Sequence, residues 1–79
     1  MSDETHIIHT LDATGLRCPM PVLRARRKLD EIHIGDHLIV HATDKASWND
    51  MAAFCASTGH SLVRREACSD YLVYEIIKK

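Results

Sequence analysis

Aromatic side chains are scarce in this sequence: one tryptophan, one phenylalanine and two tyrosines among 79 residues. That scarcity argues against single-stranded nucleic-acid recognition, which stacks bases on several exposed rings. An excess of one charge sign is missing too. The formal net charge is −1, without the positive footprint of a nucleic-acid binder. No apolar run approaches the roughly 20 residues of a membrane span, and the N-terminus shows no basic-then-apolar leader pattern. Three cysteines, Cys18, Cys55 and Cys68, cannot all pair within one chain. No C-x-x-C spacing occurs, so neither a zinc ribbon nor a thioredoxin-type dithiol is written here. Free thiols in an unsecreted protein point to a reducing compartment. The expectation is a soluble, cytoplasmic, monomeric protein with no membrane contact, no direct nucleic-acid binding and no metal.

What remains is an ordinary globular composition, 46% hydrophobic, with no repeat and no low-complexity stretch. Residues 1–79 have room for a single domain with one small core, and the polar residues 1–5 are expected to fray. Residues 6–13 read as a first strand, with Ile7, Leu11 and Ala13 on one face. Gly15 marks a turn, and Pro19 and Pro21 announce a helix that starts at one proline or the other. On that helix Val22, Ala25, Leu29 and Ile32 form an apolar stripe. Residues 36–43 alternate again, with Leu38, Val40 and Ala42 inward.

A second helix is expected over about 47–58, with Ser47 and Asp50 resembling a capping box and Gly59 as its stop. Its stripe is Trp48, Met51, Ala52 and Cys55. Residues 61–67 and 71–78 then read as a hairpin turning at Cys68, Ser69 and Asp70. The order is β-α-β-α-β-β. Two helices with one apolar stripe each need one sheet face, so the economical packing is an α/β two-layer sandwich: a mixed four-stranded sheet with both helices on one face. The first two strands would be parallel and the last two antiparallel.

The chemistry concentrates at Cys18. It stands where a strand has ended and a helix begins, and a helix N-terminus carries about half a positive charge, which favours thiolate over thiol. Arg17 adjoins it. Both effects are expected to lower its pKa. Pro19 and Pro21 stiffen the backbone on the helical side of the sulfur. A rigid, protruding sulfur suits a group handed between proteins. Cys55 lies on an apolar stripe and reads as a buried structural thiol; Cys68 is expected to be exposed and incidental.

The run Leu11-Asp12-Ala13-x-Gly15-Leu16-x-Cys18-Pro19-x-Pro21 resembles the signature of the TusA/SirA-like sulfur-carrier family, and the element order is similar along nearly the whole chain. The resemblance implies a persulfide on Cys18, supported by Gly15, Arg17, Pro19 and Pro21, with no metal or organic cofactor. It implies a cysteine desulfurase or rhodanese-like sulfur donor and a downstream acceptor protein. Thiolation of a tRNA uridine is one destination and other sulfur routes are the rest. Such activity is classed as sulfurtransferase, although it is a stoichiometric relay. Where the family often has Asp-Pro after the second strand, this chain has Asp44-Lys45, in a loop expected near the cysteine and able to shape partner choice.

Other readings stand beside this one. Arg24, Arg27 and Lys28 form either a solvated helix face, balanced by Asp30 and Glu31, or a docking patch for an acidic partner. His37 and His41 share a strand face but have no fixed partner in the sequence, and read as surface histidines. Arg64 and Arg65 point to opposite faces of the third strand. The alternative function is an RNA-binding or regulatory interaction module without sulfur chemistry. A peroxide-type redox protein would need a resolving cysteine that is not evident.

Overall fold

The computed structural model describes residues 6–79; the frayed start expected at 1–5 lies outside the described residues. Along the chain run β1 (Ile8–Ala13), α1 (Met20–Glu31), β2 (His37–Ala42), α2 (Ser47–Thr58), β3 (Ser61–Ala67) and β4 (Leu72–Ile77). The order is the expected one. In the sheet the strands lie β1-β2-β4-β3. β1 is parallel to β2, while β4 is antiparallel to both β2 and β3. Three strands therefore run one way and β4 runs against them from an inner position. The sheet is mixed and the fold is the expected two-layer α/β sandwich.

Period-two alternation decides which sheet face is covered. Leu38, Val40 and Ala42 of β2 are fully buried, as are Tyr74 and Ile76 of β4 and Ala13 at the end of β1. Helix periodicity supplies the opposing layer: Ala25 and Leu29 of α1, Ile32 just beyond it, and Met51 and Cys55 of α2. α1 lies over β1 and β2, and α2 lies over β3 and β4. Not every expected core position is fully buried: Leu11, Trp48 and Ala52 are half-buried. Ile7 is 54% exposed, because it precedes β1 at the sheet end, beyond the helical cover. Val22 is only half-buried, and Pro21 takes the inward position in the first turn of α1. Gly59 ends α2 as expected, at φ 87° with its N–H donating to the Cys55 carbonyl at 2.9 Å; this left-handed cap suits glycine.

At the end of the sheet away from Ala13, Asp36 clamps the entry to β1. Its carboxylate accepts the Ile7 N–H at 3.1 Å, the His33 N–H at 3.2 Å and a contact from His9 Nε2 at 3.0 Å. The His9 bond first, then the Ile7 and His33 amides, hold its carboxyl down from 3.8 to about 2. A folded-state pKa below the unfolded one adds stability that is complete above the unfolded value and is lost as pH falls through the folded value. Urea midpoints measured against pH should therefore drop between 3.8 and about 2 in the wild type. Asp36→Asn should unfold more easily at neutral pH and show a flatter profile across that window. An unchanged slope would deny the clamp.

Candidate functional site

The strand-to-helix connection between β1 and α1 is built by short polar contacts. The Asp12 carboxylate accepts the Thr14 N–H at 3.0 Å and its hydroxyl at 2.6 Å. Gly15 then turns the chain at φ 80°, and its N–H donates to Thr43 Oγ1 at 2.8 Å. No atom lies within 4 Å of where a Cβ would stand at Gly15. The glycine is thus required by its backbone angle and not by space. The next turn is closed by the Met20 N–H on the Arg17 carbonyl at 2.8 Å, which carries the chain through Cys18 and Pro19. α1 begins at Met20 with Pro19 as its cap, and the first helical bond runs from the Leu23 N–H to the Pro19 carbonyl at 3.0 Å. The helix thus starts after the first proline, with Met20 helical despite the proline that follows it.

Cys18 is exposed, Cys55 is buried and Cys68 is half-buried. The Cys18 N–H donates to the Asp44 carboxylate, and the thiol donates to Asp50 Oδ2 at 2.6 Å. Asp44 thus lies beside the cysteine, where it was expected. Asp50 was not expected there. It reads in the sequence as half of a capping box, but Ser47 is the first residue of α2 and its side chain points into the core. The Ser47 hydroxyl donates to the Asp44 carbonyl at 2.6 Å and meets the Tyr74 hydroxyl at 2.6 Å. With Ser47 so held, no side chain caps α2; the nearest cap contact is the Ala46 N–H on Asp44 Oδ1 at 3.1 Å. Asp50 is left to reach Cys18. A Ser-x-x-Asp pattern looks the same in either use, so nothing local in the sequence distinguishes them.

The electrostatics of Cys18 differ from the sequence expectation. Its pKa is raised, first by the hydrogen bond to Asp50, then by desolvation, then by the charges of Asp50 and Asp44. The expected lowering fails for three reasons. The sulfur stands two residues before the helix, the prolines provide no N–H to point at it, and the nearest partners are carboxylates. The amides of Cys18 and Ala46, with a smaller contribution from the charge of Arg17, hold Asp44 below the usual carboxylate range. Asp44 therefore stays anionic.

A shallow groove of about 390 Å³ runs beside Cys18, lined by Gly15, Leu16, Arg17, Thr43 and Asp44. The larger hollow, about 590 Å³, opens at Thr10, Asp12, His41 and Tyr71 and contains no cysteine. Arg24, Arg27 and Lys28 line a separate groove with Leu11 and Glu31, against the edge strand β1. Met20 and Leu23, in the first turn of α1, are exposed.

The remaining candidates are engaged elsewhere. His37 Nδ1 contacts Glu75 at 2.6 Å, and the His41 ring lies 5.4 Å from that of Tyr71. Among the described residues no three His, Cys, Asp or Glu side chains converge as a metal site. Arg64 pairs with Glu66 and Glu75, whereas Arg65 stacks 4.2 Å over the Trp48 ring, so the two do part to opposite faces. Burial raises the Cys55 thiol to about 11, an inert form. Cys68 is less exposed than expected, since its N–H closes the hairpin turn on the Tyr71 carbonyl at 2.8 Å and its thiol meets the Tyr71 hydroxyl.

Comparison with known proteins bears on the family and the fold. Residues 9–78 match the family model for sulfurtransferase TusA. The candidate sulfur carrier protein YrkI of Bacillus subtilis is 44% identical over 68 residues, which is 86% of this chain and 91% of that protein. A candidate sulfur carrier protein of Neisseria meningitidis serogroup A is 52% identical over 54 residues, 68% of this chain and 73% of that one. The crystal structure of a SirA-like protein from Desulfitobacterium hafniense superposes with a TM-score of 0.76 at 26% identity, covering 89% of this chain and 95% of that one. With a family match over most of its length, the chain belongs to the sulfurtransferase TusA family.

Proposed function

We propose that this protein is a sulfur carrier that holds sulfane sulfur as a persulfide on Cys18. The observation that carries the reading is the exposed thiol of Cys18, set in a turn fixed by the Arg17–Met20 bond and the Asp44 carboxylate. In loading, the Cys18 sulfur attacks the outer sulfur of a donor persulfide, formed on a cysteine desulfurase or a rhodanese-like protein. The donor's sulfur–sulfur bond breaks and its cysteine leaves as a thiolate. In delivery, a thiol of the acceptor protein attacks the outer sulfur on Cys18 in the same way. The sulfur is held covalently, so neither a metal nor an organic cofactor takes part. The acceptor sets the destination, tRNA 2-thiouridine or another sulfur route. The carrier works as a monomer in a reducing compartment, the cytoplasm, where its thiols stay free.

The test is a pulse of labelled sulfur. With cysteine labelled on its sulfur and a cysteine desulfurase, label should accumulate on the protein to one equivalent and stop there. Dithiothreitol should then release it as sulfide. Label that resists reduction, or none from any donor including thiosulfate with a rhodanese, would remove the carrier reading.

The basic face of α1 is the proposed docking patch for the donor. Replacing Arg24, Arg27 and Lys28 with Glu should slow donor association by about tenfold or more and flatten its salt dependence, since steering charges act through rates. Equal rates across salt concentrations would return these residues to a solvated face.

A further inference from the structure

Among the described residues, Asp50 is the carboxylate that touches the sulfur itself, and the signature around Cys18 does not include it. It comes from α2, 32 positions along the chain, and its Oδ2 lies 2.6 Å from Cys18 Sγ. The charged groups around the sulfur are Asp50 from α2, Asp44 from the loop between β2 and α2, and Arg17 next to it in the chain. α1 carries no charged side chain before Arg24. Arg17 acts on Asp44, so the sulfur faces two carboxylates.

We infer that Asp50 masks the unloaded Cys18 as a thiol, and that taking up sulfur breaks this contact. The inference rests on the carrier reading above. A thiol has a proton to donate to a carboxylate; a thiolate has none and is repelled. The Cys18–Asp50 contact therefore belongs to the unloaded, protonated state, and it keeps the exposed sulfur quiet toward stray electrophiles. In loading, Cys18–SH and donor–S–SH become Cys18–S–SH and donor–SH. The bond between the donor's two sulfurs breaks and a bond from Cys18 Sγ to the outer one forms. The proton released by Cys18 ends on the departing donor thiolate, so the exchange needs no oxidant or reductant. Once loaded, Sγ is bonded to sulfur and has no proton for Asp50. An ionised persulfide is then pushed away from Asp50 and Asp44, toward solvent and the acceptor. Asp50 thus distinguishes the empty carrier from the full one.

The experiment compares wild type with Asp50→Asn, following iodoacetamide alkylation of Cys18 against pH by peptide mass spectrometry, and desulfurase-driven loading over the same pH range. The variant should alkylate several-fold faster at neutral pH, with its midpoint moved to lower pH and its loading profile moved in parallel. Should Asp50→Asn fail to fold, Asp50→Ala, the residue of highest helix propensity, carries the same expectation. Alkylation at the wild-type rate or slower overturns the mask, as does a shifted alkylation midpoint with an unmoved loading profile. If wild type takes up no sulfur, the carrier reading fails by itself, and the alkylation comparison still decides whether Asp50 masks the thiol.

Discussion

Replacing Cys18 with Ser is expected to reduce sulfur loading to background while leaving circular dichroism and the melting midpoint unchanged. A hydroxyl is almost the size of a thiol and can still donate to Asp50, so the contacts that shape the turn survive. The Asp44 anchor uses the backbone N–H of residue 18 and does not depend on the side chain. What disappears is the sulfur nucleophile. Cys55→Ala and Cys68→Ser should keep loading. The first thiol is buried with its pKa raised to about 11, and the second is half-buried against Tyr71. Loading on Cys18→Ser equal to wild type would move the sulfur elsewhere. If Cys68→Ser alone stopped it, the sulfur would reside on Cys68 and the assignment to Cys18 would fall.

The largest stability effect should come from Tyr74→Ala. Tyr74 is fully buried in β4 under α2, its ring 6.3 Å from that of Trp48. Truncating a buried aromatic costs about 3–5 kcal/mol in lost transfer energy and cavity. A domain of this size has only about 4–12 kcal/mol to lose. Tyr74→Ala should therefore remove roughly a quarter or more of the total stability and move the urea midpoint sharply downward. Tyr74→Phe isolates the hydroxyl, which holds Ser47 at the start of α2; that bond should be worth about 1 kcal/mol. Since Ser47 in turn holds the Asp44 carbonyl, the conservative variant should also loosen the loop that anchors Cys18. Urea midpoints of both variants check this. A Tyr74→Ala midpoint within the error of wild type would contradict the packing described.

Legibility followed the range of the interactions. The inward faces of β2 and α2 were readable because alternation and helical spacing are local patterns, and Leu38, Val40, Ala42, Met51 and Cys55 are all buried. Gly15 and Gly59 were readable because a positive φ selects glycine within a single turn. The Cys-Pro-Met-Pro segment announced itself for the same reason: the prolines constrain their own neighbours. The placement of β4 between β2 and β3 was not readable, since a terminal hairpin can add to a sheet by either strand. The state of Cys18 was misread on similar grounds. Its charge balance is set by Asp44 and Asp50, 26 and 32 positions away. Local reasoning saw only Arg17 and the helix terminus. Ile7 was misplaced because the strand stops one residue short of it, at an end where long-range bonds to Asp36 and His37 take over.

The central claim is that sulfur resides on Cys18, and peptide mapping tests it most directly. The wild-type protein is incubated with cysteine desulfurase, its pyridoxal cofactor and free cysteine, then alkylated, digested without reductant and analysed by mass spectrometry. The expected result is the mass of one added sulfur atom on the peptide containing Cys18, absent from those containing Cys55 and Cys68, and lost on treatment with dithiothreitol. Sulfur on either of the other two peptides, with Cys18 recovered only as the simple alkylated thiol under every donor tried, would contradict it.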